Sequence, residues 1–498
     1  MLKFTRASAA MRPALHHAVC VALLVSIEPA AGHGLGERYD LPLPLGLYLS
    51  AAALVVALSF LVPIAFARLA PNMAGLAATR IPFLEIPPLP CERALVLVVR
   101  GISVLLFILV LTAGFFGSPD PFKNPLPVSA WIIGWVGVAY ISALFGNVWA
   151  LINPWNNLFW LGEWMARQAT GRPLRPLLGY PPSLSSWPAV ALFFVFAWME
   201  LVWPYRDRPA ALAWAILLYS VITCSAMALF GRRTWLEKGE AFAVAFKLLA
   251  RFAVLGRPDD GQKQIVLRPP ATGLLVKSPV SPSIAAFALL MLATVTFDGL
   301  QETPLWATIS DHSLAMPLVK RTADILSLQP HTLLATVALV VFPLIFVAIY
   351  LATAHLMALS AGGASVGTSD MARMFVLTVV PIAVAYHLSH YLSYLLIAGQ
   401  FIIPIASDPF ALGWNLFGTR LYLVDFSVID ARFVWYASLA LIVSGHVIAV
   451  WIAHFQAGRF LPDRRNALRS QAPMLALMIG YTALSLWILA QPITKAEP

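Results

Sequence analysis

The sequence predicts an all-α fold, a polytopic membrane bundle of about ten transmembrane helices, and three observations predict it. Of the 498 residues, 60% are hydrophobic and 11% are charged, whereas about a quarter of an ordinary soluble domain is charged. A water-exposed surface cannot absorb that surplus of apolar side chains, so the solvent implied is the lipid bilayer. The apolar residues also fall in runs of roughly twenty, the length a helix needs to cross the hydrocarbon. Finally, Lys and Arg alternate between rich and poor loops, as the positive-inside rule requires.

The chain opens with a segment that reads as a cleavable signal peptide, residues 1–32. Lys3, Arg6 and Arg12 form a basic start, Ala18 to Ile27 is an apolar run too short to span easily, and Ala30-Ala31-Gly32 supplies small residues for a cleavage site. Cutting there leaves His33 first, with an amine and an imidazole able to chelate one metal ion, copper being the usual guest. The alternatives are cleavage a residue or two away, or retention as an anchor.

Residues 33–498 then read as one transmembrane domain. The runs place helices near 46–68, 94–116, 128–151, 186–204, 209–230, 283–299, 330–355, 373–398, 433–455 and 472–490. Proline-rich breaks such as Pro87-Pro88-Leu89-Pro90 and Pro181-Pro182 separate several of them. With His33 outside, the loops 68–93, 152–185, 231–282, 356–373 and 456–471 are inside and hold twenty Lys and Arg, against nine in the outer segments. That excess predicts a bacterial inner membrane protein with both ends of the mature chain outside.

The net charge of +10 does not point to nucleic acid, because the basic residues sit in short loops where topology accounts for them. No Gly-rich phosphate loop and no nucleic-acid motif is present. Cys20, Cys91 and Cys224 form neither a metal-spaced pair nor a disulfide framework. In the large basic loop 231–282, Phe242, Phe246, Leu249 and Phe252 recur at helical spacing with Lys238, Lys247 and Arg251 between. This segment is expected to lie along the cytoplasmic headgroups, with docking of a partner as the second reading.

Ionisable residues far from helix ends carry the functional information, because burying them is costly unless they are paired or ligated. The strongest group is Tyr386-His387-Leu388-Ser389-His390-Tyr391, where His387 and His390 share one helix face. His446, after Ser444-Gly445 in the next span, lies at a matching depth. The three imidazoles suit a divalent transition metal, which nitrogen ligands alone do not choose among zinc, copper and iron. Hydrogen bonds between helices, or a proton relay, are the competing readings. A second group, Asp298 and Glu302, stands four apart at the end of the sixth span, as general base or additional ligand, or merely as the helix end at the water interface. Glu200 reads as an interfacial carboxylate beside Trp203 and Tyr205.

Three stretches resemble bacterial integral-membrane proteins of the fenitrothion hydrolase group: His33-Gly34-Leu35-Gly36-Glu37-Arg38-Tyr39-Asp40-Leu41-Pro42-Leu43-Pro44-Leu45, the Phe297-Asp298-Gly299 segment, and Tyr386 to Gln400. The resemblance runs over most of the chain. It implies a membrane hydrolase that cleaves an apolar phosphotriester and releases a nitrophenol, and it brings no residue roles with it. Such chemistry needs a Lewis acid and an activated water. The expectation is therefore a metal-dependent membrane hydrolase of apolar phosphotriesters, with His387, His390 and His446 as ligands and Asp298 or Glu302 as base. The alternative is a metal-handling (copper) or transport subunit without hydrolase activity, in which His33 collects the ion and the buried histidines pass it on; a third is a scaffold subunit with no chemistry, active only beside a second membrane subunit. The partners expected are the lipid bilayer and an apolar small molecule.

Overall fold

The structure, a computed structural model, describes residues 39–61, 84–86, 92–256, 265–362, 366–461 and 463–493. The expected signal peptide and His33 lie outside the described residues.

In chain order the elements are α1 (Leu45–Ser59), β1 (Leu84–Ile86), α2 (Glu92–Phe116), α3 (Pro125–Leu144), α4 (Pro154–Thr170), α5 (Trp187–Leu201) and α6 (Pro209–Phe230). After two short helices, α7 (Arg232–Lys238) and α8 (Ala241–Leu249), come β2 (Leu255–Gly256) and β3 (Ile265–Leu267). The second half holds α9 (Pro282–Gln301), α10 (Pro304–Ala315), α11 (Pro317–Ile325) and α12 (Pro330–Ser360). It ends with α13 (Thr368–His390), α14 (Leu392–Ser407), α15 (Ala431–Phe460) and α16 (Arg464–Ile493).

The fold is an all-α polytopic helical bundle. Eight of these helices are long and apolar enough to cross a membrane: α2, α3, α6, α9, α12, α13, α15 and α16. Two more of the ten expected spans are present as shorter apolar helices, α1 and α5. Proline and a capping side chain start many of them. Ser281 accepts from Ile284 N ahead of Pro282, and Asp430 accepts from Phe433 N at 2.6 Å, each satisfying an orphan amide of the first turn.

The loops sort into two sets. On one side β3 pairs antiparallel with both β1 and β2, joining the loop after α1 to the loop after α8. Arg373 Nε donates to Val280 O at 2.6 Å, Leu178 N to Leu229 O at 2.7 Å, and Gln456 Nε2 to Met374 O at 3.3 Å. The five loops predicted to be basic and inside therefore meet on one side, here called the sheet side, through these contacts and the approach of Gly362 to Asn466. On the far side, Trp131 Nε1 donates to Arg206 O and Trp198 Nε1 to Thr336 Oγ1.

One element departs from expectation. α8 does not present its apolar face to headgroups. Ala241, Val244, Ala245, Phe246, Leu248 and Leu249 are all buried, packed against α3, α5, α9 and α13, and only Lys247 is exposed. Its anchor is Glu240, fully buried at the helix N-cap. One carboxylate oxygen accepts from Tyr219 Oη at 2.5 Å and Phe242 N at 3.0 Å. The other accepts from Asn153 Nδ2 at 3.1 Å, Trp149 Nε1 at 3.3 Å and Ala243 N at 2.7 Å. Burial raises this carboxyl above its ordinary value and the donors pull it back. With a partner for every lone pair, a charged side chain becomes tolerable there, and α8 can enter the body of the protein.

Candidate functional site

Four helices build a polar cluster towards the far side of the bundle. α9 supplies Asp298, near its C-terminal end. α13 supplies Tyr386, His387 and His390, and breaks at Tyr391 before α14 resumes. α5 brings Glu200 and α3 brings Trp135. The sequence makes the close approach possible through Gly299. A Cβ there would clash with Tyr386 Oη and stand 2.8 Å from Ile488 Cγ2, so only glycine lets α9 lie this near α13.

A single oxygen organises the cluster. Asp298 Oδ2 lies 2.9 Å from His390 Nε2 and accepts from Tyr391 Oη at 2.7 Å. The His390 side chain is 2% exposed and that of Asp298 is 20% exposed, so the pair stands in a low-dielectric setting with one edge towards solvent. Tyr386 tilts over His390 at 5.8 Å between ring centroids, and Glu302 stands within electrostatic reach of both. Arg206 covers the far-side end, donating from Nη1 to Glu200 O at 2.6 Å.

His387 has other neighbours besides Tyr391. Its ring packs edge-on against Trp135 at 5.4 Å and Tyr391 at 4.7 Å. These residues, with Glu200, Thr294, Ala383 and Leu249 of α8, line a small cavity of about 20 Å³, room for about one water molecule. The Glu200 carboxyl looks onto Asp298, Trp135 and Tyr391.

His446 does not join them. Its Nδ1 lies 2.8 Å from Ile442 O, one turn back on α15, and its ring packs against Tyr481 at 5.9 Å. The preceding Gly445 lets α15 touch α13, since a Cβ there would meet Pro381 O at 2.8 Å. The three imidazoles expected around one ion thus have three different surroundings: an aromatic cavity, a carboxylate and a tyrosine. Among the described residues no three His, Cys, Asp or Glu side chains gather at metal-binding separation, whereas a zinc-type site takes at least three protein ligands. Among the described residues, then, His387, His390 and His446 do not converge on one ion.

Of the residues singled out from sequence, the structure brings together His387, His390, Asp298 and, at longer range, Glu302. Glu200, read there as interfacial, belongs with them; its signal was a lone carboxylate closing the apolar run of α5. Tyr391 carried a signal only as the neighbour of His390. Trp135 carried none, and it reaches the cavity from a stretch of α3, Val128–Gly137, wound as a π-helix, a distortion often found at functional sites.

The arrangement can hold, orient and exchange a proton. A carboxylate fixes one imidazole nitrogen and a phenol at once, while a second carboxylate and a second imidazole wait across a water-sized gap. Comparison with known protein families, curated proteins and solved structures returns no match.

Proposed function

We propose that this is a proton-coupled membrane protein of the transport type, in which Asp298, His390, Tyr391, Glu200 and His387 form an acid–base site inside the bundle. The observation that carries this reading is the shared Oδ2 of Asp298, which holds a buried imidazole and a buried phenol together. Ionisable groups within a membrane bundle are costly, and proton relays are a use that repays them. The size of the adjoining cavity supports the same reading, since about 20 Å³ admits a water but no bulky substrate. The basic loops of the sheet side favour a bacterial inner membrane with the sheet side in the cytoplasm.

The test is proton uptake by the purified protein in detergent after a pH jump, followed with an indicator dye. Asp298→Asn and His390→Gln are each expected to lower the uptake by about one proton per chain, because each breaks the pair that holds it. Equal uptake in wild type and both variants would refute the assignment.

A second reading has its own support. An apolar cavity of about 350 Å³ lies between α9, α12, α13 and α16, lined by Leu292, Phe346, Ile382 and Tyr481 among others. Tyr481 hydrogen-bonds Thr296, two residues from Asp298. A space of this size and character suits an apolar molecule arriving from the bilayer, as hydrolysis of apolar phosphotriesters would require. Asp298 or Glu302 would then serve as base, with zinc, copper or iron as the Lewis acid. Triester hydrolysis by the purified protein, abolished by chelation, would favour this reading over proton coupling.

A further inference from the structure

The walls of the 20 Å³ cavity hold buried polar atoms. His387 Nε2 and Trp135 Nε1 both lie out of contact with solvent with no partner in hydrogen-bond geometry, the indole facing the Glu200 carboxyl on the same wall, and the two residues are 7% and 6% exposed. Glu200 and Tyr391 line the same space. A buried donor or acceptor left unpaired is rare in a folded protein, and the usual resolution is an internal water.

We infer that this cavity binds one ordered water molecule, held by Trp135, His387, Glu200 and Tyr391. Size sets the first limit, since the volume exceeds the roughly 10–15 Å³ that one water requires and leaves no place for a larger guest. Chemistry sets the second. The indole N–H only donates, so the guest must accept. The Glu200 carboxyl keeps an acceptor oxygen whether or not it is protonated, so a guest that also donates is satisfied there. A metal or alkali cation cannot accept from Trp135, and an anion would face Glu200. Water does both, and it does so with either tautomer of His387.

The position of the water has a consequence. The Tyr391 hydroxyl oxygen donates its proton to Asp298, and Tyr391 lines the cavity. A water donating to that oxygen would complete a chain from His387 through the water and Tyr391 to Asp298 and His390. Two imidazoles on successive turns of α13, with different immediate partners, become one hydrogen-bonded unit. This consequence rests on the proton-coupled reading; the occupancy of the cavity does not.

The experiment is infrared difference spectroscopy of the full-length protein in lipid, comparing H2¹⁶O with H2¹⁸O. An isotope-sensitive O–H stretch from internal water is expected in the wild type. Ala383→Val, which fills the cavity without removing a polar group, should abolish that band, and Trp135→Phe should shift it. Circular dichroism of each variant checks the fold, and Ala383→Ser serves as the size-matched control that keeps the band. A wild type without an isotope-sensitive band would overturn the inference, as would a band that neither Ala383→Val nor Trp135→Phe alters. Saturable ²²Na⁺ binding lost in Ala383→Val would overturn it in favour of a cation. A protein that shows the band yet takes up no proton at Asp298 would retain the water and lose the proton-coupled reading, so the two failures are distinguishable.

Discussion

Replacing Gly299 by alanine sets two physical effects against each other with opposite signs. Helix propensity alone predicts that Gly→Ala within α9 stabilises by about 1 kcal/mol. Packing predicts the reverse. The new Cβ would lie 2.8 Å from Ile488 Cγ2, 0.6 Å inside the 3.4 Å at which ordinary contact begins, and closer still to Tyr386 Oη. Thr296, Phe297 and Gly299 are all buried, so packed neighbours resist a shift of α9. Overpacking of this kind costs about 1–3 kcal/mol, which leaves a net loss of up to roughly 2 kcal/mol once the propensity gain is subtracted. The clash also has a designed relief. The Tyr386 hydroxyl has no hydrogen-bond partner among the described residues, so Tyr386→Phe removes the obstructing atom at little cost. The double variant Gly299→Ala/Tyr386→Phe should recover most of the loss, a coupling of up to about 2 kcal/mol. Unfolding titrations in mixed detergent micelles measure all four proteins. A Gly299→Ala variant more stable than wild type, or a double variant no better than the single, would refute the close packing of α9 on α13.

Three further outcomes follow from the same contacts. Asp298→Ala should destabilise by about 3–5 kcal/mol, the cost of stripping one partner from a buried ionic contact, and Asp298→Asn by less, because its amide oxygen can still accept from Tyr391; the same titrations decide. Glu240→Ala should cost about 3 kcal/mol or more, since it orphans Tyr219, Trp149, Asn153 and two amides of α8 together, and limited proteolysis should then cut between α7 and α8. Chelation with a strong divalent-metal chelator should leave both the unfolding midpoint and the proton uptake unchanged; a fall in either would restore a metal to the site.

The bundle was legible because hydrocarbon thickness dictates span length, and each predicted run overlaps a helix among the described residues. The pairing of the basic loops was legible too, as charge excess reports sidedness. What could not be read was rotation about each helix axis. Counting residues placed His446 at the depth of His387 and His390, but Gly445 seats its own face of α15 against α13 and so turns His446 towards Tyr481. The moment of α8 announced an apolar face without saying whether lipid or protein would cover it, and the deciding residue, Glu240, finds three of its partners 21 to 91 positions away. Asp298 and His390 were each conspicuous by the cost of burying them, whereas their meeting spans 92 residues and no local pattern encodes it.

The placement of the cluster bears on whether protons merely visit or pass through. Asp298, Glu200, Glu302 and Arg206 all stand towards the far side. Beneath them, α9 presents Ala288 to Ala293 as six successive buried apolar residues, and α13 presents Val379 to Val384 in the same way, Pro381 among them. Six residues of helix make a layer about 9 Å thick, roughly three hydrogen-bond lengths. The polar groups nearest that layer, Thr294 and Thr378, already donate to carbonyls in their own helices. No chain of donors and acceptors on the described residues of these two helices crosses it, so α9 and α13 offer a proton no path to the site from the sheet side. A transporter that alternates between states can work with such a barrier, whereas a passive channel cannot. Vesicles containing the protein should therefore hold an imposed pH gradient as long as protein-free vesicles do, read with an entrapped pH-sensitive dye. A leak proportional to the amount of protein, and removed by Asp298→Asn, would show that the apolar layer does not seal the path and that the site serves a channel.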